Sequence, residues 1–358
     1  MSELIQNHDN RATIRWKLLT GASALALGAY IFASDVANAE DATRPSIWLE
    51  VDGQFSQQNN SLEVYDPSFL IASPFDAASH TDLEKGPPTI WDKGAKITYQ
   101  PDGSDWVFSL GVRYGKSARS EIQNHQTTHG SKYSSYYGKF VGEFNAYQIF
   151  KAQSAETHAI ADFMAGKDVG LGMFGSSASS VLSAGVRIAQ FNSRGAVEIQ
   201  SQPANASGYG YYHIFRANFD AKRRFTGIGP SISWDASANI AGNSSSSVIS
   251  LDWGVNGAVL FGRQRMKAHH ETADNYKHDR NYISISQISG GTSRSKDVTV
   301  PNLGGFAAVS WRYADAKISV GYKADFFFNA IDGGIDTRKQ ENRAFYGPFA
   351  SISVGIGD

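Results

Sequence analysis

Residues 248–263, VISLDWGVNGAVLFGR, form a long stretch that, over most of its length, alternates between large apolar side chains and polar or small ones. Such a repeat of two residues is typical of a β-strand, because successive side chains of a strand point to opposite faces. The segment is longer than an ordinary strand of about five or six residues, and it covers the roughly 9–11 residues that a tilted strand needs to cross a bilayer. It predicts a transmembrane strand, with lipid on the apolar face and a polar lumen on the other. The apolar face carries Ile249, Leu251, Trp253, Val255, Val259 and Phe261.

The composition agrees with a β-barrel and excludes several other classes of protein. Apolar residues make up 41% of the 358-residue chain and aromatic residues 12%, with 35 glycines, which is too polar for a helical membrane protein. The 33 basic residues nearly balance the 34 acidic ones, so the charge gives no support for a nucleic-acid partner. The chain has no cysteine, which excludes disulfides and cysteine-based metal sites.

The N-terminus has the pattern of a signal peptide, which predicts export. Three basic residues precede an apolar run, and a small-residue motif follows it: Arg11, Arg15 and Lys17, then residues 18–32, then Ala37-Asn38-Ala39. The run is shorter than the roughly 20 residues of a membrane-spanning helix, so cleavage is favoured over the alternative of an uncleaved anchor. We predict a signal peptide over residues 1–39 and an outer-membrane barrel over residues 40–358.

Ten alternating segments predict an all-β, antiparallel up-and-down transmembrane barrel of about ten strands. The connections alternate between long and short, as in outer-membrane barrels with long extracellular loops and short periplasmic turns. The segments lie near residues 46–55, 95–99, 106–114, 158–165, 182–188, 228–235, 248–263, 305–313, 318–328 and 346–356. The long connections are 57–92, 116–154, 192–212 and 264–302. Strand-like stretches inside them, at 209–215 and 281–289, are strand extensions or a further pair, which would give twelve strands.

Charged residues on the polar parity of these strands are the candidate lumen lining. Opposed charges in a lumen select solutes by charge, as charged rings do in pores, or they pair and plug it. Ten strands lie near the size at which side chains alone fill a barrel, so both interpretations stay open. The candidates are Glu50, Asp52, Arg113, Asp162, Arg187, Asp235, Asp252, Asn256, Arg312, Lys323 and Asp325.

Three other motifs suggest different chemistry, but each lacks its context. Residues 170–175 fit G-x-G-x-x-G without the helix that a dinucleotide site requires. A metal site would draw on His269, His270, Glu271, His278 and Asp279, although they lie in a long polar segment. His158 and Asp162 suit a barrel hydrolase, but no serine has a distinctive context. We therefore predict no catalytic, cofactor-binding or metal-binding residues, and no enzymatic activity.

Several strings of this sequence resemble the Legionella-type major outer membrane protein family. They are YQPDGSDWVFSLGVRYGKS at 99–117, GKDVGLG at 166–172, GIGPSISWDASANIAGN at 227–243, LDWGVNGAVLFGRQ at 251–264 and YGPFASISVGIGD at 346–358. The resemblance implies a Gram-negative outer-membrane barrel of a family usually labelled porins. The chain departs from outer-membrane barrels in general at its end, Gly357-Asp358, where a terminal aromatic residue is common.

The predicted function is a porin-like channel for passive diffusion of small solutes across the outer membrane. The alternative is a structural or surface-interaction barrel, of adhesion type, with a plugged lumen. The expected partners are outer-membrane lipid and lipopolysaccharide, and the barrel-assembly machinery during biogenesis. A homo-oligomer is an open alternative, and no nucleic acid and no cofactor are expected.

Overall fold

In the computed structural model, the segments with alternating side chains form β-strands. The structure describes residues 47–58, 89–101, 104–118, 120–134, 139–169, 178–203, 211–243, 247–278 and 281–356. The predicted signal peptide at 1–39 lies outside these residues and remains a prediction. No helix among the described residues is long and apolar enough to cross a membrane.

Eleven strands follow one another along the described part of the chain. They are β1 (Ile47–Gln58), β2 (Thr89–Tyr99), β3 (Trp106–Ser117), β4 (Ser120–Ser134), β5 (Lys139–Asp168), β6 (Ala178–Pro203), β7 (Tyr211–Asn243), β8 (Ser247–His278), β9 (Asn281–Tyr313), β10 (Ala316–Asp332) and β11 (Gln340–Ile356).

All neighbouring strands are antiparallel, and the sheet closes on itself. β1 pairs with β11, and β3 pairs with β5, which joins the two ends of the sheet. β3 and β4 lie in line along β5, because β3 pairs with residues 157–167 and β4 with residues 139–154. The barrel therefore has ten strand positions around its circumference, as predicted, and we call these positions staves. β3 and β4 together occupy one stave. The alternative of twelve strands is not observed, since residues 211–215 and 281–289 extend β7 and β9.

Strand length divides the barrel into two walls. The tall wall, β5–β9, has strands of 26 to 33 residues, whereas the short wall, β1–β3 with β10 and β11, has strands of 11 to 17 residues. At about 3.3 Å per residue, 33 residues reach about 110 Å, several times the hydrocarbon thickness of about 30 Å. The predicted loops at 116–154, 192–212 and 264–302 are thus largely strand. That part of the prediction was wrong.

The two faces of the membrane-spanning part follow the predicted alternation. On β8, Leu251 is 40% exposed and Val255 is 51% exposed, whereas Asp252 between them is only 6% exposed. Large apolar side chains left uncovered on one continuous face indicate contact with lipid, because a soluble protein rarely exposes such a surface. The alternate residues point inward and build the interior.

Candidate functional site

The inward faces enclose a charged cavity at the end of the barrel that carries the short turns. Its volume is about 400 Å³. Its wall includes ten of the eleven lumen candidates: Glu50, Asp52, Arg113, Asp162, Arg187, Asp235, Asp252, Asn256, Lys323 and Asp325. Arg312 lies apart from them at the rim, where its guanidinium is 5.4 Å from the ring centroid of Trp48. We call this cavity the charged chamber.

Two further cations of the chamber escaped the sequence analysis, namely Lys96 on β2 and Lys317 on β10. Each directly precedes a residue that was assigned to the outward face, Ile97 or Ile318. Extending the alternation by one residue would therefore have placed both lysines on the inward face. With them, six carboxylates face five basic side chains across the chamber. Its charge is therefore nearly balanced, and it lacks a strong field of one sign.

The charges of the chamber are joined in pairs. Arg113 of β3 lies 2.7 Å from Asp325 of β10, and Lys317 lies 2.6 Å from Asp252 of β8. Because the two partners of each pair belong to different strands, these contacts fix parts of the wall relative to one another. Ion pairs of low exposure are held in place only when hydrogen bonds satisfy their remaining polar atoms.

Arg187 shows how completely one such group is satisfied. Its guanidinium donates to both carboxylate oxygens of Asp162, at 2.6 Å and 3.1 Å, in the bidentate geometry that arginine favours. The same side chain donates to Asn256 at 2.8 Å and also to Asn302. Arg187 therefore connects β5, β6, β8 and β9 through one side chain.

Asp252 is held by hydroxyl groups as well as by its lysine. It accepts hydrogen bonds from Ser237 at 2.6 Å and from Ser250 at 3.1 Å, and also from Ser310, whose hydroxyl oxygen is hydrogen-bonded to that of Ser319 at 2.8 Å. Small hydroxyl side chains on the inward parity of three further strands thus surround the carboxylate. This arrangement fixes the charge rather than leaving it free to bind a passing ion.

An apolar layer closes the interior next to the chamber. It combines twelve buried residues from eight of the ten staves, and we call it the septum. Its members are Ile90, Ile160, Ala189, Phe191, Phe225, Ala258, Leu260, Val300, Phe327, Ala330, Ile331 and Phe345. None is more than 6% exposed, whereas the wall of a water-filled passage would be exposed. The aromatic rings pack directly, with centroids of Phe191 and Phe327 4.7 Å apart.

The sequence analysis missed the septum, although the sequence contains a signal for it. Consecutive apolar residues break the alternation at 258–261 and at 326–328, so both faces of the strand are apolar there. Phe326 and Phe328 are 42% and 39% exposed, while Phe327 between them is fully buried. A triple phenylalanine in a spanning strand thus marks a point where the interior is also apolar.

The end of β10 turns inward and covers the far side of the septum. The β10–β11 register shifts between Phe327 and Ile331, and Asn329 has a φ of 55°, a conformation that asparagine tolerates better than most residues. Residues 330–335 that follow are all buried. Arg294 of β9 holds this segment, since it pairs with Asp332 at 3.0 Å and donates to the carbonyl of Ile335 at 2.9 Å.

Beyond the septum, charged groups link the two walls. Arg343 of β11 lies 2.8 Å from Glu156 of β5, and both side chains are almost completely buried. Arg223 of β7 donates to the carbonyl of Gly333 at 3.2 Å. Burial, together with the nearby positive charge of Arg343, lowers the pKa of Arg223 to about 10, so it stays charged at neutral pH.

The structure separates the two residues that suggested a hydrolase. Asp162 binds Arg187, whereas the Nε2 of His158 lies 3.2 Å from one carboxylate oxygen of Asp92. The other carboxylate oxygen of Asp92 accepts a hydrogen bond from Ser56 at 2.9 Å. In the described residues no hydroxyl group is hydrogen-bonded to His158, which is 1% exposed and packs on Phe345. Here the aspartate lies between the serine and the histidine, so the histidine is not placed to take the proton of the serine hydroxyl. This arrangement gives no activated nucleophile.

The histidines of the possible metal site do not converge. His269 and His270 are adjacent on β8, so their side chains point to opposite faces of the strand. The side chain of His278 and residue Asp279 lie outside the described residues. Within the described part of the chain, no three histidine, aspartate or glutamate side chains form a group suited to a metal ion.

Residues 72–356 match the family described as the Legionella pneumophila major outer membrane protein precursor. No curated protein matches significantly.

Three similar solved structures share little sequence with this chain. The transport unit of the autotransporter AIDA-I from Escherichia coli is 7% identical, with 94% of this chain and 97% of that chain covered and a TM-score of 0.25. LpxR from Salmonella typhimurium is 10% identical, with 86% and 100% covered and a TM-score of 0.23. The P. putida toluene transporter TodX is 9% identical, with 89% and 91% covered and a TM-score of 0.17. Scores this low carry no argument about function.

Proposed function

Because this chain belongs to the Legionella pneumophila major outer membrane protein family, and so is a β-barrel of the bacterial outer membrane, we propose that it is a surface barrel with a closed lumen. In this proposal the spanning part anchors the protein, and the tall wall presents a surface outside the cell. The channel predicted from the sequence is then the second candidate.

The septum is the observation that carries this proposal. Its twelve side chains come from eight staves and are nearly inaccessible to water, so no described part of the lumen passes through them. The ion pair of the neighbouring chamber between Arg113 of β3 and Asp325 of β10 joins strands that are not neighbours and reinforces the closure. A barrel of ten strands is near the size that its own side chains fill, which agrees with a closed interior.

The tall wall supports the interaction part of the proposal. Only about 9–11 residues of each strand are needed to cross the bilayer, yet four of its strands have 30 or more. Long strands on the side of the long connections extend outward from the cell, by the general orientation of outer-membrane barrels. A rigid sheet of this size is a surface for interaction that an anchor alone does not require.

Recordings in planar bilayers test the closed lumen. We expect the purified protein to insert without stable conductance steps, and Phe327→Ala to produce steps by opening the septum. Phe328→Ala is the matched control, because that neighbouring ring points outward and is 39% exposed. Stable stepwise conductance of the unchanged protein would overturn the closed lumen.

A porin-like passive diffusion channel remains the second candidate, and the chamber favours it. A cavity of about 400 Å³ with charged walls has the lining expected of a solute pathway. If the unchanged protein conducts, we expect Asp235→Asn to lower its preference for cations, since this carboxylate lines the chamber and is only half-buried. Unchanged selectivity would place the conducting path elsewhere.

The processing of the chain is a separate proposal. Export by the signal peptide at 1–39 predicts that the protein in outer membranes begins at Glu40, which N-terminal sequencing measures directly. Retention of residues 1–39 in the membrane-inserted protein would favour the anchor alternative. Assembly by the barrel-assembly machinery predicts that the folded form disappears when that machinery is depleted.

A further inference from the structure

Five exposed basic side chains cluster on the outward face of the tall wall. They are Arg194 of β6, Lys222 and Arg224 of β7, and Arg265 and Lys267 of β8. We call them the basic patch. They face the surroundings of the barrel rather than its interior, because they share the parity of the lipid-facing residues on the same strands.

The strand register places like charges directly opposite one another within the patch. Arg224 pairs with Arg265, and Lys222 pairs with Lys267 across the β7–β8 ladder. Arg194 pairs with Lys222 on the other side of β7. Directly opposed side chains of antiparallel strands lie about 5 Å apart, and like charges at that position destabilise the sheet. The patch therefore gains if an anion lies over it.

The described protein supplies little negative charge to the patch. Arg194 pairs with Asp220 at 3.0 Å, while Arg224 donates to the neutral amide oxygen of Gln190 at 3.3 Å. Among the described residues, no carboxylate forms a salt bridge with Lys222, Arg265 or Lys267. The neighbouring Arg263 does have one, with Asp297 at 2.7 Å, so the missing partners are a property of the patch and not of the whole strand.

The patch lies directly beyond the lipid-facing band. The last large apolar residues that face outward before it are Ile228 on β7 and Phe261 on β8, which are 52% and 58% exposed. Arg224 and Arg265 follow four residues later, which is about 13 Å along a tilted strand and about 10 Å along the membrane normal. Arginine and lysine side chains reach back over such a distance and keep their charge at the headgroup level.

We propose that the basic patch binds the phosphate groups of lipopolysaccharide in the leaflet around the barrel. Guanidinium groups bind phosphate with two parallel hydrogen bonds, and a phosphate between strands would neutralise the opposed cations. The outward direction and the position beside the apolar band favour a lipid over a soluble polyanion. The proposal rests on the outer-membrane location and is independent of whether the lumen is open.

Binding of lipid A by the detergent-solubilised protein tests the patch. The test variant is Arg224→Gln with Arg265→Gln, and the control is Lys116→Gln with Lys167→Gln, two exposed cations of the same total charge away from the patch. A basic side chain beside an anionic membrane surface contributes about fivefold in affinity, so we expect the test variant to bind bisphosphorylated lipid A about 30-fold more weakly. The control should bind as the unchanged protein does.

Further ligands identify the source of the phosphate. Lipid A without its two phosphates should bind weakly and equally to all variants, and neither inorganic phosphate nor heparin should compete at low concentration. Equal weakening in the control, or equal binding of dephosphorylated lipid A, would overturn the site. Strong heparin binding that is lost in the same variant would replace the lipid by a soluble polyanion. Should the double variant fail to fold, Lys222→Gln and Lys267→Gln give the same comparison singly.

Discussion

The tall and short walls share the same membrane-spanning design and differ beyond it. Within the bilayer both walls place apolar residues outward, as Val255 on β8 and Val320 on β10 illustrate, at 51% and 61% exposure. Beyond it, the short wall ends and its β10–β11 connection turns inward. The tall wall continues, and there its inward face is apolar and its outward face is charged, an exchange of faces relative to the spanning part. Met266 is buried inside the barrel, whereas Lys267 is exposed outside.

This exchange shows that alternation and polarity are set by different causes. The backbone of any strand places successive residues on opposite faces, whatever their chemistry. Which face is apolar depends on the surroundings, since lipid covers the outside of the spanning part and other side chains cover the inside of the extension. Ile335 from the β10–β11 connection packs on Ala217, Phe219 and Met266, so the short wall supplies the cover that the extension needs.

The largest expected effect comes from breaking the link between the walls. Arg343→Met removes the guanidinium that lies 2.8 Å from Glu156 and leaves this carboxylate buried without it. We expect a loss of about 3–5 kcal/mol in the free energy of unfolding, measured by denaturant titration of the protein in micelles. Arg194→Met, at an exposed pair within the tall wall, should cost less than about 1 kcal/mol. Similar costs for both variants would mean that the walls are stable independently.

The exchange of faces predicts opposite tolerances at two outward positions of β8. Val255→Arg should cost roughly 2–4 kcal/mol, because the site lies near the middle of the lipid-facing band. Lys267→Leu, at an outward position twelve residues further along the strand, should change the free energy of unfolding by less than about 0.5 kcal/mol. Both values come from denaturant titration in liposomes. If Lys267→Leu instead stabilises insertion strongly, the lipid-facing band extends further than the structure indicates.

The smallest effect concerns the basic patch without its ligand. Arg224→Gln removes one of two directly opposed arginines, so in detergent free of phospholipid it should stabilise the protein by about 0.2–1 kcal/mol. Lys116→Gln, at an exposed cation of the short wall that lies opposite Trp91 and Thr157 and not opposite another cation, should have no such effect. Addition of lipid A should reverse the sign for Arg224→Gln, which thermal unfolding with and without the lipid measures.

The spanning part of the fold followed from the sequence, but the tall extension did not. Strings such as residues 248–263 place apolar residues on the outward face over a whole membrane thickness, which is typical of a spanning strand. In residues 264–278 the alternation persists as Met266 and Ala268 inside against Arg265 and Lys267 outside. Because charged residues dominate that stretch, its sequence resembles a polar loop. The strand is recognisable only once it is known that the apolar residues lie on the inward face there, and not on the outward face as in the spanning part.

For the interior, the sequence located individual residues better than it located their arrangement. Alternation placed Arg187 and Asp252 on the inner face, but it did not reveal that Asp162 and Lys317 are their partners. Those pairings depend on the order of the strands around the barrel and on their register. The septum depends even more on the closed barrel, since Ile90 and Phe345 meet only because β2 and β11 both flank β1.

The pairing of β1 with β11 has a consequence for the kinetics of assembly. Apart from β3, which pairs with β5 across the intervening β4, the other strands pair with the strand that precedes or follows them along the chain, so those pairs close shorter loops at a smaller entropy cost. Ile47, by contrast, pairs with Ile356 at the opposite end of the sequence. Until that pair forms, both edges carry unpaired backbone groups, which lipid cannot solvate. Closure and insertion are therefore coupled, and a nascent chain that lacks the seventeen residues of β11 has no stable position in the membrane.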